Sequence, residues 1–420
     1  MGILHLSKLL YYIGNYGYIA AIYISQLWNA KAKQWIQGRK HWLSALEHFT
    51  HTNTQPVIWV HCASLGEFEQ ARPVIEYIYV HYPHYSIALT FFSPSGYTVQ
   101  QHYKYAHYIS YLPVHTRSNA AKFIHILQPT VVMWVKYEYW SHYLLTLKLL
   151  KIPTLLISSI FLAKQPFFQW YGSYWRRMLH AFTHIFVQHN ASEKLLKTIN
   201  YLTVTVAGDT RIDRVLHIAQ HNTINKAIQH FIGNSKVLIA GSTWLKDEQV
   251  IAQVLKNNSI NIKLIIVPHE VNEHTIASLQ RTFAQSIRYT QYQYNHNATV
   301  LIIDAIGILS SIYKYATITY VGGAFGRGLH NVLEPAVYGK PILFGPRYTK
   351  FKEAIDLIAI QAAYSITHEA QLLSIISELL HNQATYQTSC TNAANYVISN
   401  SGGTQAIINY MAANRLLTKL

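Results

Sequence analysis

Two glutamates follow the first strongly apolar run of the sequence. Residues 61–69 read HCASLGEFE directly after the apolar stretch VIWV, which places Glu67 and Glu69 where a predicted strand turns into a predicted helix. A carboxylate in such a turn can act as a general base, and the small residues Ser64 and Gly66 would let a ligand approach it. A carboxylate in the first helical turn can instead stabilise the positive end of the helix. We assign the first role to Glu67 and the second to Glu69, which lies about 200° further around a helix axis.

Two more apolar runs end in polar or small residues. SPSG at 93–96 follows IALTFF, and KYE follows VVMWV. The residues that we expect to converge with Glu67 are Ser93, Ser95, Gly96, Lys136 and Glu138. Lys136 and Glu138 share one face of an extended segment, so a structural ion pair is an equally good interpretation of this pair.

A glycine-bearing segment marks the second half of the chain. An apolar strand ends at Gly322 and Gly323, and a loop then leads to HNVLEPA, with His330, Asn331 and Glu334. Glycines let backbone N–H groups approach an anion, and the start of a helix adds a positive field. The segment therefore predicts a phosphate and nucleotide site, in which Glu334 would accept hydrogen bonds from ribose hydroxyls.

Three further strand ends carry candidate nucleotide-binding residues. They are Arg211 in VAGDTRIDR, Ser242 and Thr243 in AGSTW, and Pro268, His269 and Glu270 in VPHE. Arginine is suited to a phosphate because its guanidinium donates two parallel hydrogen bonds. Pairing of Arg211 with a neighbouring aspartate is an alternative of equal weight, and plain helix capping is an alternative for AGSTW.

Eleven short apolar runs predict buried parallel strands. Those of the first half lie at 57–60, 87–92, 131–135, 154–159, 185–188 and 203–208. Those of the second half lie at 237–242, 263–268, 299–304, 317–323 and 341–345. Helix-length stretches separate them, which favours a doubly wound α/β fold in each half. We divide the chain into an N-terminal segment (1–40), a first Rossmann-like domain (41–207), a linker region (208–234) and a second Rossmann-like domain (235–420), whose last helix could pack back on the first domain. Two such domains would face a central cleft.

The composition narrows the function classes. The chain of 420 residues is 50% hydrophobic and 12% charged, so it can build substantial cores, and its net charge of +16 favours acidic partners. Lysine and arginine form no dense block, so a phosphorylated ligand or an anionic membrane fits better than nucleic acid. Two cysteines and scattered histidines show no metal-ligand spacing, so we expect neither a metal nor a cofactor.

Residues 9–30 contain no charged side chain, yet they are only weakly hydrophobic and include five tyrosines. Tyrosine and tryptophan suit the headgroup region of a bilayer, and basic residues follow the segment. We expect a membrane anchor or an interfacial helix, and a helix buried in the first domain is the alternative.

Taken together, the motifs resemble the 3-deoxy-D-manno-oct-2-ulosonic acid (Kdo) transferases of lipopolysaccharide assembly. The resemblance rests on SLGE, SPSG, the aromatic-flanked Glu138, GDTRID, AGST, PHE and GG…HNVLEPA, in this order over nearly the whole chain. It departs from the family where GLHN replaces the common GGHN at 328–331, and where Tyr137 precedes Glu138.

The resemblance implies a GT-B glycosyltransferase that moves Kdo from CMP-Kdo to lipid IVA at the cytoplasmic face of the inner membrane, with Glu67 as general base. It also implies that Arg211, the PHE residues and the GG…HN…E loop hold the nucleotide. Two alternatives stay open: another GT-B transferase or epimerase that uses a UDP-sugar, and a non-catalytic scaffold at a membrane surface.

Overall fold

A computed structural model describes residues 2–221, 223–256, 260–293 and 297–418. The chain divides into two compact units. The first contains residues 1–213 and 402–420, and the second contains residues 214–401. The division near residue 213 falls inside the stretch 208–234, and residues 1–40 belong to the first unit.

The first unit is built on a seven-stranded parallel sheet with the order β3-β2-β1-β4-β5-β6-β7. Its strands are β1 Val57–Cys62, β2 Ser86–Phe91, β3 Tyr108–Tyr111, β4 Pro129–Val135, β5 Thr154–Ser159, β6 His184–Val187 and β7 Val204–Val206. The helices up to the division are α1 Gly2–Ser25, α2 Ala30–Gln37, α3 Trp42–Thr52, α4 Leu65–His81, α5 Pro94–Gln100, α6 Arg117–Leu127, α7 Ser141–Leu149, α8 Ser173–Leu179, α9 Asn190–Thr198 and α10 Thr210–Gln220.

Both faces of this sheet are covered. Successive residues of a strand point to opposite faces, so Trp59 of β1 packs in one hydrophobic cluster, while Ile58 and Val60 pack in another. All six residues of β1 are buried. This is why the strands read as continuous apolar runs rather than as alternating ones.

The second unit repeats the design with the strand order β10-β11-β9-β8-β12-β13-β14, again parallel throughout. Its strands are β8 Val237–Thr243, β9 Lys263–Pro268, β10 Ser286–Arg288, β11 Val300–Ile302, β12 Ile318–Val321, β13 Ile342–Phe344 and β14 Ala363–Ser365. Its helices are α11 Lys226–Ile232, α12 Leu245–Leu255, α13 Glu273–Thr282, α14 Leu309–Ile312, α15 Leu333–Ala336, α16 Lys352–Ala359, α17 Glu369–His381 and α18 Gln383–Ser399.

The last helix, α19 Gly403–Ala413, is part of the first unit. Ile407, Ile408 and Met411 of α19 complete the hydrophobic cluster on one face of the first sheet. Asp213 fixes the entrance of α19, because its carboxylate accepts hydrogen bonds from the backbone N–H groups of Gly402 and Thr404, each at 2.6 Å. Residues 235–420 were predicted to form one domain whose last helix could pack back on the first domain, and residues 402–420 are indeed part of the first unit.

Helix α1 lies on the first unit with one side only. Ser7 is fully buried and its Oγ lies 2.9 Å from Ser173 Oγ, and the hydroxyl of Tyr11 donates to the carbonyl of Tyr139 at 2.9 Å. The opposite side exposes large apolar residues, among them Leu9 (58% exposed) and Ile13 (62% exposed). No helix of the described segments has both the length and the apolar character needed to cross a bilayer. The structure thus combines the packed helix and the exposed apolar face that the sequence analysis treated as alternatives.

The strand orders locate the candidate sites. The direction of winding reverses between β1 and β4 in the first sheet, and between β8 and β12 in the second. Ligands of open α/β sheets bind beyond the carboxyl ends of the strands at such a reversal. Ligand sites are therefore expected in the segments that follow these four strands.

Candidate active site

Glu67 stands at the winding reversal of the first sheet, just beyond β1. Helix α4 already begins at Leu65, so Glu67 is the third residue of the helix rather than part of the preceding turn as the sequence analysis had it. Its side chain turns back, and Glu67 Oε2 accepts a hydrogen bond of 2.5 Å from the backbone N–H of Ala63. Glu69 lies further along the helix, where Arg72 approaches it at 3.7 Å.

The surroundings of Glu67 favour its protonated form. The residue is 8% exposed, and burial together with the nearby negative charge of Glu138 raises its pKa from 4.5 to about 8. The N–H group of Ala63, the Lys136 ammonium and the N–H group of Tyr137 oppose this rise. A carboxylate with a pKa near the working pH is suited to taking up a proton during a reaction.

Glu138 follows β4, across the winding reversal from Glu67. Its Oε2 accepts hydrogen bonds from the indole N–H of Trp140 at 2.7 Å and from His61 Nε2 at 3.0 Å. Its backbone carbonyl accepts a third from the indole N–H of Trp134 at 2.5 Å. The sequence analysis assigned no role to His61, which is fully buried in β1. The sequence feature that could have drawn attention to His61 is a histidine within an otherwise apolar strand.

The other candidates of the first unit surround the same strand ends. Lys136 has a left-handed backbone (φ 55°) directly after β4. Ser64 is the N-cap of α4, and the exposed Gly66 leaves the start of that helix open. The carboxylate of Glu138 accepts from His61 and Trp140, and the ion pair of Lys136 with Glu138 stays a prediction.

The SPSG segment begins α5, with Ser93 as its N-cap. The hydroxyls of Ser93 and Ser95 lie 2.7 Å apart. Gly96 is required by packing, because a Cβ at that position would lie 2.3 Å from the ring of Phe91. Gly96 therefore shapes the segment and offers no side chain to a ligand.

A pocket of about 380 Å³ adjoins Glu138. Helix α1 forms one wall, the segment 137–140 forms another, and Trp175 of α8 completes it. The lining residues of α1 are Leu10, Tyr11, Gly14, Asn15 and Tyr18. The pocket is thus mainly aromatic and carries one carboxylate.

Arg211 lies in the first unit and pairs with Asp209. Its guanidinium donates to both carboxylate oxygens of Asp209, with Nε–Oδ1 at 3.1 Å and Nη2–Oδ2 at 2.5 Å. Burial alone would raise the pKa of Asp209, but the charge and hydrogen bonds of Arg211, helped by Lys136, hold it below its ordinary value. The pairing with a neighbouring aspartate is therefore present, and a role of Arg211 in nucleotide binding stays a prediction.

The second unit has a cavity of about 480 Å³ at its own winding reversal. Of the predicted nucleotide-binding residues, it is lined by Ser242, His269, His330, Asn331 and Glu334. Binding pockets for small molecules typically occupy roughly 300–1,000 Å³, so the volume is suitable for a nucleotide. Ser242 has φ +54°, an uncommon conformation for a residue with a side chain, at the end of β8.

Arg214 also lines this cavity, and the sequence analysis missed it. Its guanidinium lies near Glu334, whose charge raises the pKa of Arg214 against the lowering effect of burial. Burial raises the pKa of Glu334, while Ser310, Asn331 and Arg214 lower it. Arg214 could have been proposed from the sequence, because it is the second arginine of TRIDR, three residues after Arg211.

The backbone N–H groups of the glycine loop after β12 do not have the role that the sequence predicted. The N–H of Gly322 donates to the carbonyl of Gly241 at 2.9 Å, and the N–H of Gly323 donates to Asp247 Oδ2 at 3.0 Å. Both groups are thus committed within the unit, so the expectation that they bind an anion is wrong. The following helix, α15, is a single turn of four residues, so its dipole is small.

Gly322 and Gly323 instead allow close packing. A Cβ on Gly322 would lie 2.3 Å from the carbonyl oxygen of Ser242, and Gly323 has φ +94°. Asp247 organises this region, because it also accepts hydrogen bonds from the N–H of Trp244 at 2.9 Å and from the hydroxyl of Tyr320 at 2.7 Å. Burial raises the pKa of Asp247, and these donors oppose the rise.

Aromatic rings stack beside the cavity. The ring of His269 lies between those of Trp244 and His330, with centroid distances of 4.7 Å and 4.4 Å. The indole N–H of Trp244 donates to His330 Nε2 at 3.2 Å, and burial lowers the pKa of His330 to about 4, so this ring is neutral at physiological pH. Neutral stacked rings of this kind offer a face to a nucleobase.

The remaining nucleotide candidates lie at the edge of this arrangement. Thr243 is buried and its hydroxyl donates to Glu248 at 3.1 Å. Pro268 ends β9, and Glu270 lines a separate, smaller pocket with Thr243. No cluster of three or more metal-ligating side chains occurs in the described part of the chain.

Two Rossmann-like units with acidic and nucleotide-sized sites at their winding reversals have the GT-B architecture. Residues 40–214 match the family model described as 3-deoxy-D-manno-octulosonic-acid transferase (kdotransferase). A 3-deoxy-D-manno-octulosonic acid transferase of Haemophilus influenzae is 26% identical over 369 residues, which cover 84% of this chain and 86% of that protein. The chain is therefore a glycosyltransferase related to the Kdo transferases.

Solved structures agree on the fold. A UDP-GlcNAc 2-epimerase from Neisseria meningitidis bound to UDP-GlcNAc has a TM-score of 0.60 at 16% identity, covering 86% of this chain and all of its own. A glycosyltransferase from Rickettsia africae has a TM-score of 0.56 at 13% identity, covering 88% and 100%. At these identities the likeness concerns the architecture.

Proposed function

We propose that the chain transfers Kdo from CMP-Kdo to lipid IVA, a lipid A precursor, in lipopolysaccharide synthesis, with Glu67 as the general base. The observation that carries this proposal is the buried Glu67, with its raised pKa, beside Glu138 at the winding reversal of the first sheet. The relationship to the Kdo transferases supplies the substrate class.

The chemistry requires one base and one stabilised leaving group. A hydroxyl of the acceptor attacks the anomeric carbon of Kdo from the side opposite to CMP, so a new C–O bond forms as the bond to the CMP phosphate breaks. Glu67 takes the hydroxyl proton, and the configuration at the anomeric carbon inverts. CMP leaves as a stable phosphate anion and needs positive charge nearby rather than a proton.

The second unit offers a donor site of suitable chemistry. In this proposal the stacked rings of His269 and His330, which line the cavity, receive the cytosine, and Glu334 accepts hydrogen bonds from ribose hydroxyls. Arg214 provides the positive charge in the same cavity. This cation replaces the backbone N–H groups of the glycine loop in the role of phosphate ligand.

The first unit offers an acceptor site of suitable chemistry. The pocket beside Glu138 has the aromatic walls that favour sugar rings and a carboxylate that can accept hydrogen bonds from hydroxyls. Net charge of +16 favours a phosphorylated glycolipid in an anionic bilayer. In the proposal the exposed apolar side of α1 contacts that bilayer at the cytoplasmic face of the inner membrane.

The proposal is tested by incubating the protein with lipid IVA and either CMP-Kdo or UDP-GlcNAc, followed by mass measurement of the lipid product. We expect addition of Kdo from CMP-Kdo only. Strict dependence on a UDP-sugar would favour the alternative transferase or epimerase, and absence of any turnover would favour the scaffold.

Glu67→Gln tests the base. We expect a rate at least about 10²-fold lower, with CMP-Kdo binding unchanged in calorimetry. Glu69→Gln is the matched control, because Glu69 lies on the same helix outside the site, and it should retain the rate of the unchanged protein. Equal losses in the two variants would contradict the role of Glu67.

Membrane contact is tested with Leu9→Glu and Ile13→Glu together, which place charges on the exposed side of α1 without touching its packed side. We expect less binding to vesicles that contain anionic lipids, with an unchanged melting temperature. Unchanged sedimentation with the vesicles would contradict the interfacial role of α1.

A further inference from the structure

A chain of hydrogen bonds links the core of the first sheet to Glu138. It begins at Trp59, whose indole N–H donates to Thr90 Oγ1 at 2.8 Å, and continues from Thr90 Oγ1 to His61 Nδ1 at 2.9 Å. All three side chains are fully buried, on the adjacent strands β1 and β2. No water can therefore exchange with these partners without opening the core.

The direction of these bonds fixes the protonation of His61. An indole nitrogen only donates, so Thr90 Oγ1 accepts from Trp59 and keeps its own proton to give. The carbonyl of Val60 lies 3.5 Å away, whereas His61 Nδ1 lies at 2.9 Å, so the hydroxyl proton points to His61. His61 Nδ1 is thus an acceptor, and Nε2 is the ring nitrogen that donates.

The proton on Nε2 faces the candidate active site. His61 Nε2 lies 3.0 Å from Glu138 Oε2, which also accepts from Trp140 at 2.7 Å. Both donors use the same oxygen, so the other oxygen of Glu138 remains oriented for another partner. The imidazole ring itself is held against Trp134, with ring centroids 4.3 Å apart.

Glu138 needs such support because its backbone is irregular. The residues between β4 and α7 form no helix or strand, and Lys136 adopts φ +55° there. A carboxylate on such a segment would otherwise sample several positions. Misplacement of a catalytic group by about 1 Å can reduce a rate by roughly 10²-fold.

We propose that His61, with its tautomer set by Thr90, is a positioning residue that holds the carboxylate of Glu138 beside Glu67. This inference rests on the proposed function for its kinetic consequences, because it assumes that Glu67 accepts the proton. The hydrogen-bond geometry and the tautomer do not depend on that assumption. His61 touches neither substrate nor reacting atoms and acts through Glu138.

The kinetic test compares His61→Gln with His61→Leu. A glutamine amide can place a donor near the position of Nε2, whereas leucine cannot. We expect the leucine variant to lose roughly 10²-fold in kcat, with the KM for CMP-Kdo unchanged and with the acid limb of its pH profile moved. The glutamine variant should restore most of the rate and the original profile.

A melting curve for each variant separates misfolding from mispositioning. Wild-type kcat and an unchanged pH profile in a folded leucine variant would overturn the proposal, as would a glutamine variant no better than leucine.

A spectroscopic test needs no activity. Nitrogen resonances of ¹⁵N-labelled histidines report which ring nitrogen carries the proton, and the signals lost in His61→Gln identify His61. We expect an unprotonated Nδ1 and a protonated Nε2 in the wild type and in Thr90→Ser, which keeps the hydroxyl. Thr90→Val, which removes the hydroxyl at similar volume, should change the Nδ1 signal.

A proton on Nδ1 in the wild type, or identical signals in the serine and valine variants, would overturn the proposal. If instead the wild type transfers no Kdo while the tautomer is as stated, the proposed function fails and the positioning geometry stands.

Discussion

Glu67 and Glu138 form a coupled pair of carboxylates at the winding reversal of the first sheet. The carboxylate of Glu138 is held by the indole N–H of Trp140 and by His61, and its charge is, after burial, the second largest cause of the raised pKa of Glu67. Glu138 thus adds to the effect of burial in raising the proton affinity of Glu67. The coupling predicts how both the rate and the stability depend on pH.

The rate of transfer should depend on pH through Glu67. Only ionised Glu67 can take a proton, so kcat/KM should rise about tenfold per pH unit and level off above about pH 8. Glu138→Gln removes the neighbouring negative charge and lowers the pKa of Glu67. It should therefore move the rising part of the pH–rate profile to lower pH. Initial rates from pH 5 to 9 measure both profiles. An unchanged rising part in the Glu138→Gln variant would contradict the electrostatic coupling of Glu138 to Glu67.

Glu67→Gln should stabilise the protein increasingly at higher pH. The pKa of Glu67 in the folded protein, about 8, lies above its ordinary value of 4.5, so ionisation opposes folding as pH rises between these values. The free energy of unfolding of the variant, minus that of the wild type, should grow over this window by at most about 1.4 kcal/mol per pH unit. Urea unfolding at pH 5 and pH 8 measures it. A difference that shrinks with pH would refute the assigned environment.

Filling the pocket beside Glu138 should impair use of the acceptor. Gly14 lines the pocket, and a Cβ built on it would meet no packed neighbour within 4 Å, so Gly14→Leu adds a side chain to the wall of the pocket. Gly17→Leu is the control, because Gly17 is equally open but lies outside the lining. We expect a higher KM for lipid IVA in the first variant alone, with the KM for CMP-Kdo unchanged. Equal effects of the two substitutions would argue against acceptor binding there.

Arg214 should contribute to nucleotide binding. Arg214→Leu removes the cation from the cavity of the second unit, and loss of a charge-assisted hydrogen bond to a phosphate should weaken CMP binding by about 1.5–3 kcal/mol. Arg281→Leu, at an exposed position of the same unit, is the control for net charge. Calorimetric titration with CMP measures both. Equal affinities of the two variants would exclude Arg214 as a phosphate ligand.

Strands inside the sheets could be predicted from the sequence, and some at the edges could not. The eleven apolar runs correspond to strands, whereas Tyr108–Tyr111, Ser286–Arg288 and Ala363–Ser365 were missed. All three are edge strands of three or four residues. An edge strand has a neighbour on one side only and buries less surface, so its sequence need not be a long apolar run.

The doubly wound α/β class, the motif order and the position of Glu67 directly after β1 could be read from the sequence, because buried parallel strands and glycine-bearing turns leave local patterns. The partners of the site residues became known from the three-dimensional packing. His61 reaches Glu138 across 77 residues, Arg211 and Arg214 fall in different units, and the glycine N–H groups bind Asp247 and Gly241. These outcomes depend on contacts between strands that are distant in sequence, and no local pattern encodes such contacts.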